Sequence, residues 1–366
     1  MLMVVFGAGA SYDSYSVIPP PSLREGQVLP DGYAPHFGDY MPYRPPLTNE
    51  IFARKSFIDE VLPKLPALRE LQSHLGVLRK PPDGSLEQEL ERIRDQADQR
   101  PELKRDLLAV QFYLHVLLWH AVRQWTEVTK GPAATTYADI LKRVQQATRE
   151  GEDVLLVTFN YDTMLEAALN TRGVAIGSIP AYVATNYKVI KLHGSVNWAH
   201  PVRTAVDTRD GTTGTLANLI RMAGELDIDY DTFIYLRETD FFSYPAGILD
   251  GETRPVNVPA IAIPILSKKN YECPQDHLRL LETSLPNVTK VLLIGWRAAE
   301  EHFLGLLRAK LRKDARLMVI SSGRPGADQV VANLRRAAVA GNYTPSAATG
   351  FTGLLQSHEI DEFLKE

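Results

Sequence analysis

Asn160 and His193 are the two side chains in this sequence whose type and setting best suit catalysis. Each follows an apolar run that reads as a buried strand. An asparagine carries both an acceptor oxygen and a donor nitrogen, so it can hold a water or a sugar hydroxyl. An imidazole with its ordinary pKa of about 6.5 can accept a proton near neutrality. Gly194 beside it permits close approach of a substrate, and Ser195 adds a hydroxyl. Asp162 follows Asn160 by two positions and reads equally as a site carboxylate or as the cap of the next helix. His193 has its own bland alternative, a satisfied core histidine.

A third segment, Gly7-Ala8-Gly9-Ala10-Ser11, stands directly after the apolar run Leu2–Phe6. Small residues there let backbone N–H groups approach a pyrophosphate, although a tight strand-to-helix turn needs no more than this. Two weaker signals close the set. Gly295 and Trp296 follow the run Val288–Ile294, and Ser321 sits at the tip of Ala315–Ile320 with a hydroxyl suited to ribose. Trp296 could equally be core. A dehydrogenase of the usual kind is disfavoured, because Tyr12 stands where its third glycine belongs. His115 and His120 stand five apart, the wrong spacing for a metal pair on one helix face.

The elements that must position these residues alternate. Strands are expected at 2–6, 153–159, 188–198 (broken at His193-Gly194), 288–294 and 315–320. Helices are expected over 49–62 behind Thr48, and over 85–99, 102–128, 136–149, 162–171, 299–312, 326–339 and 352–365. Strands alternating with helices imply an α/β fold: a Rossmann-like, doubly wound parallel sheet carrying a large helical insertion. The expected core is 1–64 with 150–366, and 65–149 is the insertion. Residues 17–46, rich in Pro, Gly and Tyr, read as a long functional loop. The stretch 200–260 shows no clear periodicity.

Composition bounds the class. The 366 residues are 45% hydrophobic and 23% charged, as in ordinary globular proteins. A net charge of −4 without basic blocks gives no reason to expect nucleic-acid binding. The single cysteine, Cys273, excludes an internal disulfide and a cysteine-rich zinc site, and fits a reducing cytoplasm. No signal peptide is evident. The apolar run Leu107–Val122 is interrupted by Gln111, His115 and His120 and is short of the ~20 residues a membrane span needs. It reads as a buried helix or a docking surface.

The motifs G-A-G-A-S, T-F-N-Y-D (158–162), K-L-H-G-S (191–195) and a late strand ending in glycine, in this order, resemble the sirtuin family. The closest likeness is to bacterial sirtuin-like domains that hydrolyse NAD+ and serve antiphage defence. Pro46–Phe52 resembles the element after the first loop in that branch, and Ile294-Gly295-Trp296 through Glu300 and His302 its late motif. The resemblance implies that Gly7, Ala8, Gly9, Ala10 and Ser11 line the NAD+ pyrophosphate, with Gly194 and Ser195 also at the dinucleotide. It implies that Asn160 positions water or ribose, that Asp162 lies near the nicotinamide and that His193 is the general base. Gly295, Trp296 and Ser321 would approach the adenosine half. The departures are that two C-x-x-C pairs of a zinc ribbon are missing, with 196–265 in their place, and that Trp296-Arg297 replaces Gly-Ser or Gly-Thr-Ser.

The expectation is therefore an NAD+ glycohydrolase that uses NAD+ as substrate and no zinc or other metal. An enzyme draining NAD+ needs control, so a homo-oligomer or a defence partner is expected; by analogy alone, a hexameric DNA translocase or an Argonaute-like protein. The 17–46 loop is expected to close over the nicotinamide ribose. A deacylase or ADP-ribosyltransferase, and a sensor that binds NAD+ without turnover, are the alternatives.

Overall fold

The most apolar runs of the chain become adjacent strands because strands buried on both faces favour a parallel sheet covered by helices. A computed structural model describes residues 1–14, 45–47, 51, 86–97, 99–128, 135–237, 248–249, 252–253, 256–264 and 271–365. The 17–46 loop (apart from 45 and 46), the Thr48 cap and the 49–62 helix (apart from 51) lie outside the described residues.

Along the chain the described strands are β1 (Leu2–Phe6), β2 (Val154–Thr158), β3 (Tyr187–Lys191), β4 (Gly194–Pro201), β5 (Ile234–Tyr235), β6 (Ile248–Leu249), β7 (Glu252–Thr253), β8 (Asn257–Ile261), β9 (Lys290–Ile294), β10 (Arg316–Ser321) and β11 (Asn342–Thr349). Six of them form one sheet in the order β3-β2-β1-β9-β10-β11, and every neighbouring pair is parallel. Counted within this sheet the order is 3-2-1-4-5-6, that of dinucleotide-binding folds, with the reversal between β1 and β9. Every residue of β1 and β2 is buried.

Helices cover both faces of this sheet. Gln275–Ser284, Glu301–Lys310 and Arg324–Arg336 pack Leu281, Phe303, Leu307, Val330 and Leu334 against Val5, Val157, Leu293 and Val319. On the other face lie Thr136–Ala147 and Gly350–Gln356, where Tyr137 and Phe351 meet the ring of Phe6 at 5.1 and 6.1 Å. Asp13 reaches across the sequence to that second helix: its Oδ2 accepts from the Thr352 amide at 3.1 Å and its Oδ1 from the Thr352 hydroxyl at 3.0 Å. It thus supplies the N-terminal cap that Thr349 does not.

The chain divides into two compact units. One holds the parallel sheet and comprises Met1–Pro45, Ala121–His193 and Lys268–Glu366. The other comprises Pro46–His120 and Gly194–Ser267. This division departs from the expected core and insertion in two ways. Thr136–Ala147 belongs with the sheet, because Tyr137, Ile140, Leu141 and Val144 recur at helical spacing and are all buried. Residues 194–267 group with the helical segment instead of the core.

Within the second unit, β4 pairs antiparallel with β5 and β8. Trp198 on β4 is buried and meets Phe233 edge-on at 5.6 Å. A helix, Gly211–Arg221, occupies part of the stretch that showed no periodicity. The long helix Pro101–Val128 carries Gln111, whose Nε2 donates to the Ile261 carbonyl at 3.0 Å, and the fully buried His115. Most of the Leu107–Val122 run is buried, so it is core and not the docking surface that was the other reading. No helix among the described residues is long and apolar enough to cross a membrane.

Candidate active site

The carboxyl rim of the parallel sheet is tied level by four backbone bonds that continue the ladder past the strand ends. Leu192 N donates to Thr158 O at 3.0 Å, Phe159 N to Phe6 O at 3.0 Å, Gly7 N to Ile294 O at 2.9 Å and Gly295 N to Ile320 O at 3.0 Å. His193, Asn160, Ala8 and Trp296 are therefore the next residues of four neighbouring strands. This rim, beside the β1/β9 reversal, is where open parallel sheets bind ligands.

Asn160 is 6% exposed and held by its amide nitrogen. Nδ2 lies 2.9 Å from Gly7 O, 2.9 Å from Ser11 Oγ and 3.1 Å from the Tyr137 hydroxyl. Gly7 O can only accept, which fixes the orientation of the amide. Its other end, Oδ1, is buried and has no hydrogen-bond partner among the described residues. His193, also 6% exposed, stands at the end of the adjacent strand. Its ring lies 5.0 Å from Phe159 and 6.0 Å from Tyr161, the residues flanking Asn160. The structure thus brings Asn160 and His193 to neighbouring strand tips of one unit.

Asp162 is buried two residues further on, and its Oδ1 accepts from Met164 N at 3.1 Å, so it does serve the start of the helix Met164–Asn170. Burial raises the pKa of its carboxyl, although the Lys191 charge and a hydrogen bond from Ser11 oppose the rise. Lys191 is fully buried; it bonds Glu166 Oε1 at 2.8 Å and donates to the Asp162 carbonyl. Tyr182 donates to the same Glu166 oxygen at 2.9 Å.

The glycines of the rim have a packing reason beside any ligand. A Cβ on Gly7 would lie 2.4 Å from Gly295 O, and one on Gly295 would lie 2.4 Å from Ala10 N. Gly295 also has φ +62°, a left-handed conformation. The two turns cross backbone against backbone. Three N–H groups of the first turn are already engaged: Gly7 with Ile294 O, Gly9 with Gly295 O and Ala10 with Gly7 O. These residues therefore offer a ligand close approach more than donors, and Ala8 stands between them at the rim.

The remaining expected residues stand at the tips of β9 and β10 or in the other unit. Trp296 is core: its indole stacks on Phe159 with centroids 5.4 Å apart and an interplanar angle of 2°, and its Nε1 donates to Glu300. Ser321 is half-buried at the tip of β10, where its Oγ would lie 2.8 Å from a Cβ on Gly326. Gly194, with φ +77°, and the buried Ser195 open β4 in the other unit. Tyr137, Lys191 and Glu166 are the residues sequence reasoning missed. Tyr137 sat in a segment read as an insertion, and its spacing signalled core only. Among the described residues no cluster of three or more His, Cys, Asp or Glu could hold a metal ion.

No protein-family model matches the chain, and no curated protein matches it. Among solved structures it is similar to Sir2Tm bound to a propionylated peptide, at 12% identity over 99% of this chain and 94% of that one, with a TM-score of 0.40. It is also similar to a Sir2 homologue–NAD complex, at 12% identity over 100% and 88% of the two chains, TM-score 0.37. A third is Sir2 with the inhibitor EX-527, 2′-O-acetyl-ADP-ribose and deacetylated p53 peptide, at 15% identity over 92% and 91%, TM-score 0.33.

Proposed function

We propose that the chain is an NAD+ glycohydrolase acting at the Asn160–His193 rim. The observation that carries this reading is the Asn160 amide, clamped by its nitrogen, its buried oxygen without a partner among the described residues, one strand from a histidine. The 3-2-1-4-5-6 strand order supports a dinucleotide as the ligand. In the reaction the C1′–N bond breaks and its electron pair leaves with nicotinamide, which becomes neutral and needs no acid. A water oxygen bonds C1′, and its proton passes to His193 and then to solvent. The Asn160 oxygen orients that water or a ribose hydroxyl, and a base so placed contributes about 10²–10⁴ in rate.

Hydrolysis is preferred to peptide deacylation because one cysteine cannot supply two C-x-x-C pairs. The likeness of the motifs to defence domains makes a regulated effector in antiphage defence part of the same reading. The test is chromatography of NAD+ incubated with the purified chain. Nicotinamide and ADP-ribose are expected, and His193→Ala and Asn160→Ala each abolish them while leaving the circular dichroism spectrum unchanged. Formation of O-acyl-ADP-ribose with an acyl-lysine peptide would instead establish a deacylase. Tight binding by calorimetry, with NAD+ recovered intact, would establish a sensor.

A further inference from the structure

The hydrogen atoms around Asn160 can be counted. Nδ2 carries two, and three oxygens surround it. One hydrogen is committed to Gly7 O, a pure acceptor. The second faces a pair of hydroxyls, 2.9 Å from Ser11 Oγ and 3.1 Å from the Tyr137 oxygen. These two hydroxyls lie 2.8 Å apart and share a hydrogen bond of their own.

We propose that Tyr137 is a positioning residue of this site, which together with Ser11 holds the Asn160 amide so that Oδ1 is the atom presented to ligand. The tyrosine ring is fixed for this task. It meets Phe6 at 5.1 Å and Phe351 edge-on at 5.6 Å, and it is fully buried. A phenylalanine there keeps the packing and removes only the link. Without the Tyr137 hydroxyl, the second hydrogen of Asn160 has Ser11 alone to bond, and Ser11 loses its partner at 2.8 Å. The amide is then freer to turn, and a turned amide presents Nδ2, which repels the proton that the reaction needs held.

As far as turnover is concerned the inference rests on the hydrolase reading, so the experiment separates the two. The Asn160 side-chain amide of the full chain is observed by NMR after asparagine-selective ¹⁵N labelling and assigned by its loss in Asn160→Asp. Its hydrogen exchange is expected to accelerate about tenfold or more in Tyr137→Phe and in Ser11→Ala. With NAD+ as substrate, Tyr137→Phe is expected to lower kcat by about ten- to a hundredfold with KM within about twofold. Ser11→Ala keeps the tyrosine ring and serves should Tyr137→Phe fail to fold. Unchanged exchange in both variants overturns the inference, as does faster exchange with unchanged kcat. Faster exchange in a chain that never turns over NAD+ upholds the positioning of Asn160 and overturns the hydrolase reading alone.

Discussion

Lys191 illustrates how much of the rim depends on charges far from water. Its ammonium is wholly enclosed and bonds Glu166, itself engaged by Tyr182, while also donating to the Asp162 carbonyl. Removing one member of a buried pair leaves the other uncompensated, at a cost of about 3–5 kcal/mol. Lys191→Met is therefore expected to lose that much stability in urea unfolding. The double variant Lys191→Met/Glu166→Met should recover a large part of it, and a double variant as unstable as the sum of the singles would mean the two do not act as a pair. At this scale the sequence was informative about Asn160 and His193, because each ends an apolar run. It was silent about Lys191, an ionic residue inside what reads as strand, and about Tyr137. Their roles arise from contacts across 25 and 23 residues that no local pattern encodes.

At the scale of elements, the crossing of the two glycine turns is the least forgiving point. Gly295→Ala combines a left-handed backbone with a Cβ placed 2.4 Å from Ala10 N. Backbone atoms on both sides leave nothing flexible to yield, so a loss on the order of 2–4 kcal/mol is expected. Thermal unfolding measures it, and a melting temperature within about a degree of the wild type would contradict the close approach. The strands that build this crossing were legible, since β1, β2, β9 and β10 are short continuous apolar runs. β11 was not, because Asn342–Thr349 is a half-exposed edge strand carrying Pro345 and few large apolar residues. The helix Gly211–Arg221 was obscured in the same way by Gly, Thr and Thr in its first turn. The sheet unit takes in Thr136–Ala147, an ordinary amphipathic helix, and amphipathicity does not say which core a helix faces.

At the scale of the whole molecule, two buried histidines with lowered pKa values, one in each compact unit, contribute to acid sensitivity. His277, whose Nε2 donates to Ile179 O at 3.2 Å, has its pKa lowered by burial to about 4. Burial likewise lowers His115 to about 3. Folded-state values below the ordinary 6.5 mean the native state prefers the neutral ring. The stabilisation is present above pH 6.5 and is lost as pH falls through about 4 for His277 and about 3 for His115. For His277 it amounts to something on the order of 3 kcal/mol. Melting curves between pH 7 and pH 3 are expected to fall steeply, and less steeply in His277→Gln. An identical slope in that variant would show that other groups govern the acid limb.

The centre of the parallel sheet is assembled from distant parts of the chain. β1 takes β2 as one neighbour and β9 as the other, and Asp13 caps a helix that begins at Gly350. During synthesis on the ribosome, the first strand emerges long before either flank exists. A nascent chain must carry five apolar residues with both edges open until β2 has been added, and with one edge open until residue 294. Such long-range pairing is slow to form and leaves the early strand exposed to misassociation. The Gly7–Asn160–His193 rim cannot be assembled before residue 193 has been added.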